Sequence, residues 1–195
     1  EYKTDEQRVF EGSLDDKGRL KFTGDIHSGA YAPGMLIAAF TSRVFEQSGN
    51  FSSQYRTVAF APYEHFIGIK LPKGDQTRGM LLTDQDQQIE IASVDAHGNP
   101  ISLDSVQVTL YKIHWKWWWD KTGDALVQYA SASHSNQIQQ DVLRTQKGLG
   151  VWNFKIKYPD WGRYLLRACD LKGQHCTGQV VYVDWPGWAG RAQQE

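Results

Sequence analysis

The sequence has no excess of charge of either sign. Its 195 residues carry 21 Lys and Arg against 22 Asp and Glu, a formal charge of −1. Proteins that bind nucleic acid neutralise phosphates with clustered Lys and Arg, so this balance argues against such a partner. No basic cluster marks an anionic membrane surface either. No apolar run approaches the ~20 residues that a membrane-spanning helix needs. The chain opens at Glu1 without Met or an apolar leader and is read as an excised piece or a mature region.

Cysteine is scarce. Cys169 and Cys176 sit in the segment RACDLKGQHCTG, with the turn signal Lys172-Gly173 between two strand-like runs. A hairpin with a six-residue loop sets the two cysteines opposite each other, at a spacing that suits a disulfide. Such a bridge implies an oxidising compartment. Two reduced, half-buried thiols remain the alternative. A zinc site is disfavoured because His175 adjoins Cys176 and points to the other face of a strand.

Motifs that carry chemistry are missing as well. There is no Gly-x-Ser-x-Gly elbow and no glycine-rich phosphate loop. His27, His65, His97, His114, His134 and His175 are dispersed, and the pairs Asp15-Asp16 and Asp84/Asp86 are explained by turn chemistry. No catalytic, cofactor-binding or metal-binding residue is assigned, and the expectation is a protein that is not an enzyme.

What is present is alternation. Apolar residues recur with period two in short runs separated by Gly, Asp, Asn and Pro, with almost no helical pattern. Strands are predicted over Val9–Leu14, Leu20–Asp25, Leu36–Phe45, Ser52–Phe60, Phe66–Lys70, Gly79–Leu82, Gln88–Val94, Val106–Trp119, Leu126–Ala132, Gln137–Thr145, Val151–Tyr158, Tyr164–Asp170 and Cys176–Asp184. Strands at this spacing give an all-β fold of antiparallel β-sandwich modules. A boundary near Ala61-Pro62-Tyr63 leaves a complete module over 63–191 and a partial one over 1–62. The first is either the second half of a truncated module or a small module leaning on its neighbour.

Two runs specify faces. In Val151–Tyr158, Trp152, Phe154, Ile156 and Tyr158 share the predicted core face. In Val106–Trp119, Val106, Val108 and Leu110 have one parity, and Ile113, Trp115, Trp117 and Trp119 the other. A β-bulge at Tyr111-Lys112 would bring both groups to the core, with Lys112, His114 and Lys116 outward. The alternative is a strand that crosses between sheets.

Eight Trp, in a chain that is 13% aromatic, invite a second function. Trp115, Trp117 and Trp119 in water could stack on sugar rings, as in a carbohydrate- or peptidoglycan-binding module. Core filling is favoured, because three same-face indoles in solvent make an unusual apolar patch. Trp185 and Trp188 are candidates for packing between modules.

Several segments carry a resemblance. They are Trp115-Lys116-Trp117-Trp118-Trp119-Asp120, Trp161-Gly162-Arg163-Tyr164, His175-Cys176-Thr177-Gly178 and Asp184-Trp185-Pro186-Gly187-Trp188-Ala189-Gly190-Arg191. With weaker matches at Phe10-Glu11-Gly12-Ser13-Leu14, Ala32-Pro33-Gly34 and Arg43-Val44-Phe45-Glu46, they resemble the bacterial α2-macroglobulins. The resemblance implies two consecutive macroglobulin-type, fibronectin-III-like modules lying just before the bait-containing domain. It implies a parent that traps endopeptidases through bait cleavage and a Cys–Gln thioester. That parent is expected in the periplasm, with membrane attachment only through a lipid anchor outside this segment. Its expected partners are neighbouring modules of the same chain and the trapped endopeptidases. The pattern departs at the thioester: neither Cys169 nor Cys176 is followed by Glu-Gln, so no trapping residue is carried over.

Overall fold

The computed structural model describes residues 6–28, 32–75, 78–113 and 137–185. All regular structure among them is strand. The chain divides into two compact units, Glu1–Pro62 and Tyr63–Glu195.

The first unit is built on one antiparallel ribbon of β1 (Leu36–Phe45) and β2 (Phe51–Phe60), in unbroken register from Leu36↔Phe60 to Phe45↔Phe51. Gly49, at a φ of 90°, supplies the left-handed residue of the connecting turn, which the Glu46 and Asn50 backbones close. Pairing puts Leu36, Ala38, Phe40, Val58 and Phe60 on one face, and Ile37, Phe45, Phe51 and Tyr55 on the other. On the first face Leu36, Ala38 and Phe40 are half-buried, and the second face is exposed. Ile37 is 76% exposed, and Ala32 is the one buried residue among those described in this unit.

The predicted strands Val9–Leu14 and Leu20–Asp25 are not strands. The two arms turn back at Asp15–Arg19 and meet through side chains: Phe10 stacks on Phe22 at 4.7 Å, and Gln7 donates to the His27 carbonyl at 2.7 Å. Alternation alone does not form a ladder where neither face has anything to bury against.

The second unit is a sandwich. One sheet contains β3 (His65–Lys70), β5 (Asp86–Asp95) and β8 (Leu149–Lys155), in the order β3-β5-β8. The other has the order β4-β10-β9-β6-β7, formed by β4 (Leu81–Leu82), β6 (Val106–Ile113), β7 (Gln137–Leu143), β9 (Gly162–Asp170) and β10 (Cys176–Asp184). All pairings are antiparallel except that of β4 with β10. The chain crosses between sheets after β3, β4, β5, β7 and β8, which is the connectivity of a fibronectin-III-like fold. Ile67, Ile89, Ile91, Trp152 and Phe154 of the smaller sheet meet Val106, Val108, Leu110, Leu166 and Val183 of the larger in one core. Each fully buried aliphatic side chain there contributes about 1.5–3 kcal/mol.

Three details differ from the sequence expectations. The register shift at Leu110/Tyr111 falls where a bulge is predicted, but the extra residue is Ile138 on β7. Strand β6 keeps one-to-one register with β9 from Val106↔Asp170 to Ile113↔Arg163, so its parity is not reset. Ile113 therefore packs with Tyr111 and Leu165 in a separate cluster, not in the main core. Lys112, predicted to point outward, shares the face of Leu110. Its ammonium lies 5.9 Å from the Tyr164 ring centroid and 2.7 Å from Asp160. Finally, Tyr158 is 52% exposed, unlike Trp152, Phe154 and Ile156. Strand β8 ends at Lys155, and the chain turns at the cis bond Tyr158-Pro159 before Tyr158 can join the core face. The predicted strand Leu126–Ala132 lies outside the described residues.

Candidate functional site: the laced sides and ends of the second unit

Two sheets laid face to face leave open sides where the edge strands do not hydrogen-bond to each other. In the second unit both sides are laced by side chains. Between β7 and β8, the Trp152 indole N–H donates to Asp141 Oδ2 at 2.6 Å. Gln139 donates to the same oxygen at 2.9 Å and to the Asn153 carbonyl at 3.3 Å. The bonds from Gln139, and then from Trp152, hold the Asp141 carboxyl below its usual range. Trp152 thus fills the core with its ring and fastens the side with its one polar atom.

The opposite side is closed by the β9–β10 hairpin. Its tip carries the Cys169–Cys176 disulfide, on directly paired residues with Cα atoms 4.1 Å apart. The residues just inside the bridge reach the other sheet. His175 Nδ1 accepts the Ile67 backbone N–H at 3.0 Å, and Asp170 Oδ2 lies 3.1 Å from His65 Nδ1. Asp170 is 2% exposed and His175 4%. Asp170 Oδ1 accepts the Lys172 N–H, and Tyr63 and Phe66 pack their rings on His175 at 5.2 and 5.1 Å. Gly173 is required here: a Cβ would lie 2.3 Å from Asp170 Oδ2.

The far end is held by Arg78. It donates to Asp75 at 3.1 Å, to Asp184 at 2.5 Å and to the Trp185 carbonyl at 3.3 Å. Burial by itself would raise the Asp75 carboxyl. The N–H groups of Arg78 and Met80 and the guanidinium outweigh that and leave it below the usual carboxylate range. Beside this clamp, Trp185 meets Trp161 edge-on at 5.1 Å, with Trp161 45% exposed. Tyr164 ties the β8–β9 turn to the core, its hydroxyl donating to the Asp160 carbonyl four residues upstream. This is the tyrosine corner of Greek-key sandwiches. Burial, and then the Asp160 charge, push the Tyr164 hydroxyl up to about 12.

Of the residues singled out from sequence, Cys169 and Cys176 are joined, Trp152 lies in the core, and Trp185 is half-buried against Trp161. Trp115, Trp117, Trp119 and Trp188 lie outside the described residues, as do His114 and Lys116. Sequence reasoning missed His65, Asp170, Arg78, Asp141 and the corner role of Tyr164. The last had a signal, a Tyr opening a strand four residues after an Asp in a Pro-Asp-Trp-Gly turn. Among the described residues no three His, Cys, Asp or Glu converge as metal ligands.

A Greek-key sandwich with a tyrosine corner, its sheets laced together by polar side chains, is a β-sandwich module of the fibronectin-III-like class. The family follows from sequence: residues 68–185, more than half of the chain, match the model of bacterial macroglobulin domain 6, and the chain belongs to that family. No curated protein sequence matches it. Among solved structures it is similar to trypsin-activated α2-macroglobulin from Escherichia coli, with 16% identity, a TM-score of 0.50, and 89% of this chain aligned to 11% of that one. It is also similar to Salmonella α2-macroglobulin reacted with methylamine, at 17% identity and a TM-score of 0.40, with 89% of this chain on 12% of that chain. The chain thus spans about a ninth of the length of the E. coli protein.

Proposed function

We propose that the chain is a structural, non-catalytic part of a bacterial α2-macroglobulin that inhibits endopeptidases by bait cleavage and trapping. The bait and thioester lie elsewhere in that protein. The supporting observation is the match of residues 68–185 to a bacterial macroglobulin domain, in a unit whose two cysteines are bonded to each other. A thiol held in a disulfide cannot form the acyl bond of a thioester.

In this role the second unit is a rigid link. The chain enters it at Tyr63, beside the disulfide end, and reaches the opposite end at Trp185, where Trp161 and Trp185 offer an aromatic surface to the next module. The ribbon of the first unit, apolar on both faces, is to be covered by further sheet from the same parent. The parent resides in the periplasm, held at the inner membrane by a lipid anchor outside these residues. The likeness to E. coli α2-macroglobulin activated by trypsin supports the choice of endopeptidases as targets.

A direct test mixes the chain with trypsin or elastase. It should neither slow peptide hydrolysis nor appear in a covalent adduct on a denaturing gel. Covalent capture of either enzyme would contradict the proposal. Exposure of Trp161 and Tyr158 favours one competing reading, a glycan-binding surface. Titration with peptidoglycan fragments and oligosaccharides should leave tryptophan fluorescence unchanged. A saturable shift would favour that reading instead.

A further inference from the structure

The strand that opens the second unit is fastened through a titratable atom. Among the described residues strand β3 is an edge, with a ladder to β5 alone. The Ile67 N–H faces away from that ladder and ends on His175 Nδ1 at 3.0 Å. Ile67 and His175 are both 4% exposed, so water is a poor substitute for either group. An imidazole nitrogen accepts a hydrogen bond only while it is unprotonated, so this contact requires neutral His175 with its proton on Nε2.

We propose that His175 is the pin of a pH-operated latch that holds β3 to the β9–β10 hairpin when neutral and releases it when protonated. A proton on Nδ1 turns the acceptor into a donor facing another donor. The bond is then lost, and with it the partner that the edge N–H has among the described residues.

Several titratable and charged groups lie near His175. From β9, Asp170 is the nearby carboxylate, but Oδ2 is engaged by His65 and Oδ1 by the Lys172 N–H. Its backbone N–H donates to the His175 carbonyl at 2.9 Å, which fixes the backbone rather than the ring. From β3 comes His65, whose Nδ1 lies 3.1 Å from Asp170 Oδ2. Tyr63 packs edge-on against the ring, and Glu64, between Tyr63 and His65, is exposed. Cys169 and Cys176 are bonded and do not titrate. A proton on Nδ1 therefore breaks His175 from Ile67. The device is independent of the proposed parent protein, since it rests on this unit alone.

Amide hydrogen exchange resolved by NMR on the whole chain tests it. After correction for intrinsic exchange, protection of the Ile67 amide should fall about tenfold or more as the pH is lowered from 7.5 through protonation of the His175 ring. The midpoint should coincide with titration of the His175 ring. His175→Asn presents a carbonyl oxygen where Nδ1 was and does not titrate, so its Ile67 protection should be flat over the same range. Should that variant not fold, His65→Gln in its place should keep the wild-type fall. Wild-type protection that does not change with pH would overturn the latch. So would a fall that persists in His175→Asn, or one that follows the His65 titration and disappears in His65→Gln.

Discussion

The two units are made of similar strands, yet they are held in different ways. Strand β1 and strand β5 have ten residues each, and both alternate. In β5, Gln87, Ile89, Ile91 and Ser93 are buried, whereas β1 has no buried residue. The difference is what each strand faces. A second sheet lies over β5, and its polar groups are spent on cross-links: Ser93 Oγ meets Thr145 Oγ1 and the Ile101 carbonyl, each at 2.7 Å. The ribbon has a complete ladder, but no residue of either strand is buried, and only Leu36, Ala38, Phe40 and Phe60 are half-buried. Two strands alone are marginal in water, because the ladder satisfies the backbone without removing enough apolar surface to offset the ordering entropy.

Substitution in the core should separate the units most strongly. Trp152→Ala removes a buried indole and the bond to Asp141. It should destabilise the second unit by about 3–5 kcal/mol in urea unfolding, whereas Ile37→Ala in the ribbon should cost about 0.5 kcal/mol or less. Equal losses would erase the contrast. Reducing Cys169–Cys176 comes next. Its loop is short, so the loss should be near the low end of about 2–4 kcal/mol and confined to the second unit. Free-thiol labelling of untreated protein should find neither cysteine.

Smaller is the effect of Tyr164→Phe, which deletes the corner bond while keeping the ring, at about 1 kcal/mol. Its pH dependence has a defined sign. Because the hydroxyl is pushed up to about 12 from its ordinary value of 10.0, it favours the fold fully below pH 10. That contribution is lost as pH rises through 10 to 12. Wild type should lose its advantage over the variant in that window. The smallest effect is at Asp141, whose lowered carboxyl stabilises the unit above the unfolded value of 3.8 and ceases to do so as pH falls below it. The stability difference between wild type and Asp141→Asn should narrow as pH falls below 3.8.

Period two made most of the strands legible. The bounds Leu36–Phe45 and Cys176–Asp184 coincide with β1 and β10, and the Cys169/Cys176 opposition follows from counting residues around one turn. What alternation cannot provide is the partner. Ile67 and His175 are 108 residues apart, and His65 and Asp170 are 105 apart, so no local pattern announces either contact. Parity also failed where a strand has two buried faces. Val108, Leu110 and Tyr111 of β6 are all buried, which the sequence invites one to read as a bulge in β6 itself. The first arm failed for the opposite reason: Val9–Leu14 alternates, but lacks the covering face that would make alternation count.

Limited proteolysis with trypsin, followed by mass analysis, tests the contrast between the units most directly. Arg43 and Arg56 lie on the uncovered ribbon, while Arg163 and Arg167 lie on β9 inside the laced sandwich. Early cleavage at Arg43 and Arg56, leaving a resistant fragment that begins at Thr57 and retains β3 to β10, is the expected result. Cleavage at Arg163 or Arg167 as fast as at Arg43, or a ribbon as resistant as β9, would contradict the account.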